Sequence, residues 1–229
     1  MAQRSLSKRL WYEFLRVLFR VLGVAVFRIR VFGREHVPAS GGVLVVSNHQ
    51  SHLDPILVGL ACDRRLNYVA RDTLFGFAPF RWLINSLDAI PIDREGIGLG
   101  GLKESLRRLK DGEMLLIFPE GTRTRDGDVG RLKPGFLALA RRAKVPLLPV
   151  GLDGSYESWP RRNLLPQPAV IQIRFAAPLA PEMMSGMSDE ELLSEVNCRI
   201  RQSHALVREG RQRAIGARNP QLTSREAGC

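Results

Sequence analysis

Asn48-His49-Gln50-Ser51-His52-Leu53-Asp54 sets an imidazole five residues ahead of a carboxylate, and Phe118-Pro119-Glu120-Gly121-Thr122-Arg123 follows downstream. A carboxylate against one imidazole nitrogen fixes the tautomer and stabilises the imidazolium. The other nitrogen is then left to take a proton from an alcohol. In the second segment Gly121 permits close backbone approach, Thr122 supplies a hydroxyl, and Arg123 can grip a phosphate with two parallel hydrogen bonds. Arg125, Arg131 and Lys133 extend the basic stretch. Ala89-Ile90-Pro91-Ile92-Asp93-Arg94 brings a further guanidinium to the end of an apolar run.

Other chemistries fit less well. His49 and His52 form a His-x-x-His pair, but only His36 and His204 remain and no cysteine is near in sequence, which disfavours a zinc site. No Gly-x-Ser-x-Gly elbow exists, since Gly151-Leu152-Asp153-Gly154-Ser155 does not fit, and no cysteine neighbours a histidine. A base without an evident protein nucleophile points to direct attack by a substrate hydroxyl on an activated acyl group. No metal or other cofactor is expected.

These residues need strand ends and helix starts to hold them. Apolar runs predict strands at Val24–Phe32, Val43–Ser47, Asn67–Ala70, Ala89–Ile92, Glu113–Phe118, Pro146–Gly151 and Val170–Phe175. Val43–Ser47 delivers Asn48 and His49 to the carboxyl end of a strand, where α/β folds place their sites. Five residues of ideal helix turn through about 500°, so His49 and Asp54 cannot share a helical face. His49 is therefore expected in a loop before a helix starting near Pro55, which suits a first helical position. Asp54 could equally be the cap of that helix.

Leu102, Leu106 and Leu109 are spaced as a helix with Gly112 as its stop, and Phe136, Leu137 and Ala140 as another after Pro134. Ser188-Asp189-Glu190-Glu191 reads as a capping box opening a helix through Val207. The fold class expected is α/β, a single domain with a central mixed sheet flanked by helices. An N-terminal amphipathic membrane-interface helix precedes it.

The chain has 229 residues, 45% hydrophobic and 25% charged, with a formal charge of +11. Such a field draws nucleic acid, an anionic membrane surface or acidic substrates. No recognition-helix or aromatic-platform motif accompanies the charge, so no nucleic-acid partner is expected. Three scattered cysteines build no disulfide framework.

Leu10 to Phe27 is the most membrane-like run, but Glu13, Arg16 and Arg20 break it, each costly at a bilayer centre. From Met1 to Glu35 there are eight Lys or Arg against two Glu. A basic amphipathic helix lying in the headgroup layer of an anionic leaflet fits this pattern. Residues 1–30 are accordingly read as a membrane-associating segment, 31–207 as the catalytic domain and 208–229 as a flexible basic tail, a second contact for lipid. The location expected is the cytoplasmic face of a membrane.

From Gly42 to Phe175 the chain resembles the glycerophospholipid acyltransferase family at four ordered blocks. His49 and Asp54 match its His-x4-Asp signature, which implies His49 as general base and Asp54 as the group that orients it. Arg94, ending Ile90–Arg94, matches the block assigned to glycerol phosphate binding. Phe118–Arg123 matches the Phe-Pro-Glu-Gly-Thr-Arg block, implying acceptor binding by Glu120, Gly121, Thr122 and Arg123. Lys133-Pro134-Gly135 resembles the Lys-x-Gly that follows, and Val145–Val150 the last, apolar block. Asp88 and Trp82 stand where family members often carry glycine, so the departures lie where acceptor and acyl chain would sit.

The resemblance implies transfer of a fatty acyl group from acyl-CoA or acyl-carrier protein to the sn-2 hydroxyl of 1-acylglycerol 3-phosphate, a lysophospholipid, giving phosphatidate. Leu74–Phe80 and Trp82 would border the acyl path or simply pack in a core. Alternatives are acylation of another lyso-lipid or of glycerol 3-phosphate, and, from a different class, a non-catalytic membrane-surface binding protein.

Overall fold

The computed structural model describes residues 26–71, 90–92, 99–160, 163 and 165–217. The expected N-terminal helix up to residue 25, Leu74–Phe80 with Trp82, Arg94, and residues 218–229 lie outside them.

Among the described residues seven strands form one sheet in the order β1-β7-β6-β2-β5-β3-β4. They are β1 (Arg30–Phe32), β2 (Val43–Ser47), β3 (Leu66–Arg71), β4 (Ile90–Ile92), β5 (Met114–Ile117), β6 (Leu147–Asp153) and β7 (Gln172–Phe175). β6, β2, β5, β3 and β4 run parallel, whereas β7 pairs antiparallel with β6 and carries β1 alongside it. The mixed sheet expected from the apolar runs is present.

The central strands are largely apolar because both faces are covered, with Ser47 and Asp153 at the carboxyl ends of β2 and β6. Val43 and Val45 of β2, Met114 and Leu116 of β5, and Leu148, Val150 and Leu152 of β6 pack with helix α1 (Asp54–Ala61). Their alternates Leu44, Val46, Leu115, Ile117 and Leu147 face the other side. There they meet α3 (Gly135–Ala143), Leu109 of α2 (Leu99–Lys110), and Leu192, Val196 and Ile200 of a long C-terminal helix. Two short helices, α4 (Ser155–Ser158) and α5 (Pro181–Ser185), complete the order before that long helix, α6 (Asp189–Gly216).

Two expectations are corrected. Val24–Phe32 is not one strand: Val26 and Phe27 are helical, Arg28 turns the chain at φ 42°, and only Arg30–Phe32 pair into the sheet. The last helix opens on the expected Ser188–Glu191 capping box but does not stop at Val207. It runs 28 residues to Gly216, about 42 Å. The tail therefore does not start at residue 208, because Arg208 and Arg211 find carboxylates across the fold. Arg208 pairs with Asp128, and Arg211 Nε lies 2.5 Å from Asp153 Oδ2.

α6 can lie this close to β6 because Gly151 has no side chain. A Cβ there would come within 2.3 Å of the His204 backbone nitrogen. Gly151→Ala should therefore force helix and strand apart and destabilise the protein by at least about 2 kcal/mol, as overpacking of a close contact does. Urea unfolding measures the loss; an unchanged midpoint would show that the helix can shift freely.

Candidate active site

Three adjacent strands end together. β2 pairs in parallel with β5, Val46 opposite Ile117, and with β6, Ser47 opposite Val150. The loops after them, at residues 48–53, 118–134 and 154, therefore emerge side by side. Crossing from β5 to β6 by way of α3 passes the chain from one side of β2 to the other, the kind of switch point at which open α/β sheets leave a crevice.

His49 Nδ1 lies 2.8 Å from Asp54 Oδ2. The loop curls so that the carboxylate also accepts the backbone N–H groups of Gln50 (2.6 Å) and Ser51 (2.7 Å). Its other oxygen accepts the Ser155 hydroxyl at 2.6 Å. Asp54 is fully buried, so its charge needs these four donors. It opens α1, yet its acceptor bonds go to the preceding loop and to α4, and no side chain caps the helix.

The imidazole is clamped from a second direction. Phe118 stacks on it, ring centroids 4.1 Å apart and planes 19° from parallel. Nε2 makes no hydrogen bond among the described residues, and the side chain is 19% exposed. With Asp54 accepting from Nδ1–H, Nε2 is the acceptor, directed at whatever occupies the crevice.

Ser155, Asp54 and His49 form a serine-acid-histidine group in the wrong order for a serine nucleophile. The hydroxyl donates to the carboxylate rather than to the imidazole, and Ser155 is fully buried. His52, the other half of the His-x-x-His pair, sits edge-on to Trp159 with centroids 5.6 Å apart. Among the described residues no three His, Cys, Asp or Glu side chains are placed to hold a metal ion.

Glu120, in the basic loop, faces inward. It is 6% exposed, and its Oε1 accepts the His49 backbone N–H at 3.1 Å. A second acceptor bond goes to the Gly130 backbone N–H. Burial pushes its carboxyl up to about 7, and the nearby Asp54 charge adds to this; the two N–H donors and Arg201 oppose it without cancelling it. Thr124 N–H donates to His49 O at 2.8 Å, stitching the same two loops together.

Gly121 turns at φ 68° beneath Lys133, whose Nζ would lie 3.1 Å from a Cβ at that position. Thr122 is exposed and Arg123 half-buried on the same loop. The fold thus gathers His49, Asp54, Glu120, Gly121, Thr122, Arg123 and Lys133 at one end of the sheet. Arg94 follows β4 by two residues and lies outside the described residues.

Sequence reasoning missed the support behind the pair. Asn48 exchanges two hydrogen bonds of 2.9 Å with the Leu152 backbone, fastening the loop after β2 to β6. Gln50 Nε2 donates to Gly127 O and Asp153, while its carbonyl accepts from Ser155 and the Tyr156 N–H. Burial would raise the Asp153 carboxyl, but His204 and Arg211 outweigh it and hold the group well below the ordinary carboxylate range. The only local sign was a run of short polar residues beside His49.

Known proteins are similar in both sequence and shape. The acyltransferase family profile matches residues 28–153, more than half of the chain. The chain belongs to the acyltransferase family. It is 32% identical over 195 residues to the 1-acyl-sn-glycerol-3-phosphate acyltransferase of Pseudomonas aeruginosa, covering 82% of this chain and 71% of that protein. The protein of the same name from Bacillus subtilis is 31% identical over 144 residues, covering 62% and 71%. The crystal structure of the 1-acyl-sn-glycerophosphate acyltransferase from Thermotoga maritima superposes with a TM-score of 0.73 at 26% identity. That match covers 91% of this chain and 84% of that one. The family match spans His49, Asp54 and Phe118–Arg123, and the solved relative shares the fold that carries them.

The raised Glu120 carboxyl carries a pH signature. The folded protein keeps a proton that the unfolded chain has released between its ordinary value of 4.5 and about 7. Glu120 therefore contributes stability that is fully present below pH 4.5 and is lost as pH rises through about 7. Melting temperatures of wild type and Glu120→Gln across that window should show a difference that varies with pH. A constant offset between the two curves would show that Glu120 is charged throughout.

Proposed function

We propose that the protein transfers a fatty acyl group from a thioester, acyl-CoA or acyl-carrier protein, to the sn-2 hydroxyl of 1-acylglycerol 3-phosphate, giving phosphatidate. The observation that carries this reading is the His49 imidazole, held at Nδ1 by Asp54 and unbonded at Nε2 beside a cationic loop. The relatives from Bacillus subtilis, Pseudomonas aeruginosa and Thermotoga maritima are named as acyltransferases of 1-acyl-sn-glycerol 3-phosphate, which supports this reading.

Nε2 takes the hydroxyl proton as the acceptor oxygen attacks the thioester carbonyl, and Asp54 stabilises the imidazolium that forms. Collapse of the tetrahedral intermediate breaks the carbon–sulfur bond, and the imidazolium proton goes to the departing thiolate. No covalent acyl-enzyme is required, consistent with Ser155 being buried and turned away from the imidazole. Arg123 and Lys133, with Arg94, hold the acceptor phosphate, while Glu120 sets the loop that presents Gly121 and Thr122.

The substrate is lipid, so the reaction takes place at a bilayer surface. Among the described residues no helix is long and apolar enough to cross a membrane. The basic segment 1–30 supplies contact with an anionic leaflet on the cytoplasmic face.

Purified protein incubated with labelled acyl thioester and a panel of lyso-lipids should yield phosphatidate by mass, from lysophosphatidate in preference to the other acceptors. Product only from another acceptor would reassign the substrate. His49→Ala should lower the rate by about 10²–10⁴-fold. Its fold should remain, because Asp54 keeps its other three donors. Lys133→Ala should raise the KM for the phosphate-bearing acceptor about tenfold with little change in kcat, the cost of one charge-assisted hydrogen bond. Steady-state kinetics separates these effects, and a His49→Ala enzyme of near-normal rate would remove the base.

A further inference from the structure

A hollow of about 410 Å³ opens between the start of β1 and the last turns of α6. Arg28, Arg30 and Arg213 rim it, and Gly210, Ala214 and Ala217 line its helical wall. Those three small residues recur at helical spacing, so one face of α6 carries no bulk where the cavity lies. The sheet register fixes where this hollow is. Arg30 lies opposite Gln172, and Gln172 opposite Asp153 at the carboxyl end of β6. It therefore opens at the same end of the sheet as His49, three strands away, about 14 Å across the sheet.

Two of the three guanidiniums in this hollow have no internal counter-ion among the described residues. Arg213 is paired with Glu209, but Arg28 and Arg30 form no ion pair among the described residues, and both are exposed. The carboxyl end of α6 contributes only about half a negative charge, well short of offsetting the two unpaired guanidiniums. Val170 lines the hollow, and exposed apolar residues lie close to its lining in sequence. Val26, two residues before Arg28, is 39% exposed, and Ile215, beside Ala214, is 37% exposed. A guanidinium pair on chain segments that also expose aliphatic side chains suits an anion that carries hydrocarbon better than a soluble one.

We propose that this hollow binds the phosphate headgroup of an anionic phospholipid of the bilayer, separately from the acceptor phosphate held near His49. The proposal rests on the protein working at a membrane surface, but not on the acyl-transfer chemistry. A headgroup seated between Arg28, Arg30 and Arg213 would hold the carboxyl end of the sheet against the leaflet, with the crevice at Nε2 alongside it.

The test is partition of the full chain onto vesicles, which needs no acyl donor. Wild type, Arg28→Gln/Arg30→Gln, and a control of equal charge, Lys103→Gln/Lys110→Gln on α2, are compared on phosphatidylglycerol-containing and pure phosphatidylcholine vesicles. The arginine variant should lose about ten- to thirtyfold on anionic vesicles, as expected for two cations at a charged surface. It should match wild type on neutral vesicles, melt at the wild-type temperature, and keep its kcat on a short-chain acceptor dispersed as monomer. Equal losses in the lysine control would reduce the effect to net charge, and no loss in the arginine variant would empty the pocket of lipid; either overturns the proposal. Inorganic phosphate that binds wild type tightly enough to abolish vesicle partition at millimolar concentration would assign the hollow to a soluble phosphate instead.

Discussion

A single buried carboxylate organises the site. Asp54 has no exposed surface, and an ionised carboxylate there survives only if every lone-pair direction meets a donor. Its donors come from both sides of the sheet end: two backbone N–H groups and the imidazole from the loop after β2, and a hydroxyl from the helix after β6. Satisfying one charge thus fixes the loop conformation, the imidazole tautomer and the docking of α4 together. The His49 ring, pressed on its face by Phe118, has little rotational freedom left. Binding of a substrate hydroxyl then requires little reordering of the base.

That constraint works only because β5, β2 and β6 are parallel neighbours. Were β6 antiparallel to β2, the loop bearing Ser155 would emerge at the opposite end, and Asp54 would lose its hydroxyl donor. The antiparallel step is delayed to β7, outside the three strands that build the site. This delay also brings the start of β1, with Arg28 and Arg30, to the same end as His49.

Much of this was legible in the residues. Unbroken apolar runs marked the central strands because each is covered on both faces, and the five-residue spacing with Pro55 placed His49 in a loop ahead of a helix. The failures share a cause. Ser155, Gln50 and Asp153 are ordinary polar residues whose importance lies in partners about 100 positions away. Likewise the arginine-rich stretch from Arg208 reads as solvated until Asp128, Asp153 and Glu157 are brought beneath it. Glu120 sits in a motif of polar and cationic residues and so invites a substrate-facing reading, while its side chain points inward to the His49 and Gly130 backbone. Local pattern reports period and punctuation; it does not report which polar group closes which loop.

The chain's positive charge has the same double character. Arg64 donates to the carbonyls of Pro38, Gly41 and Gly112, and Arg201 to that of Val129. A guanidinium bonded to carbonyls fastens loops without being neutralised, unlike one bonded only to a carboxylate. Five donors in a rigid plane make this possible, and a lysine ammonium could not span three carbonyls in the same way. Tying down irregular segments and keeping the surface cationic are therefore not competing demands on this sequence. The same arginines that hold its loops leave it attractive to phosphate, which is what a catalyst with an anionic acceptor at an anionic leaflet requires.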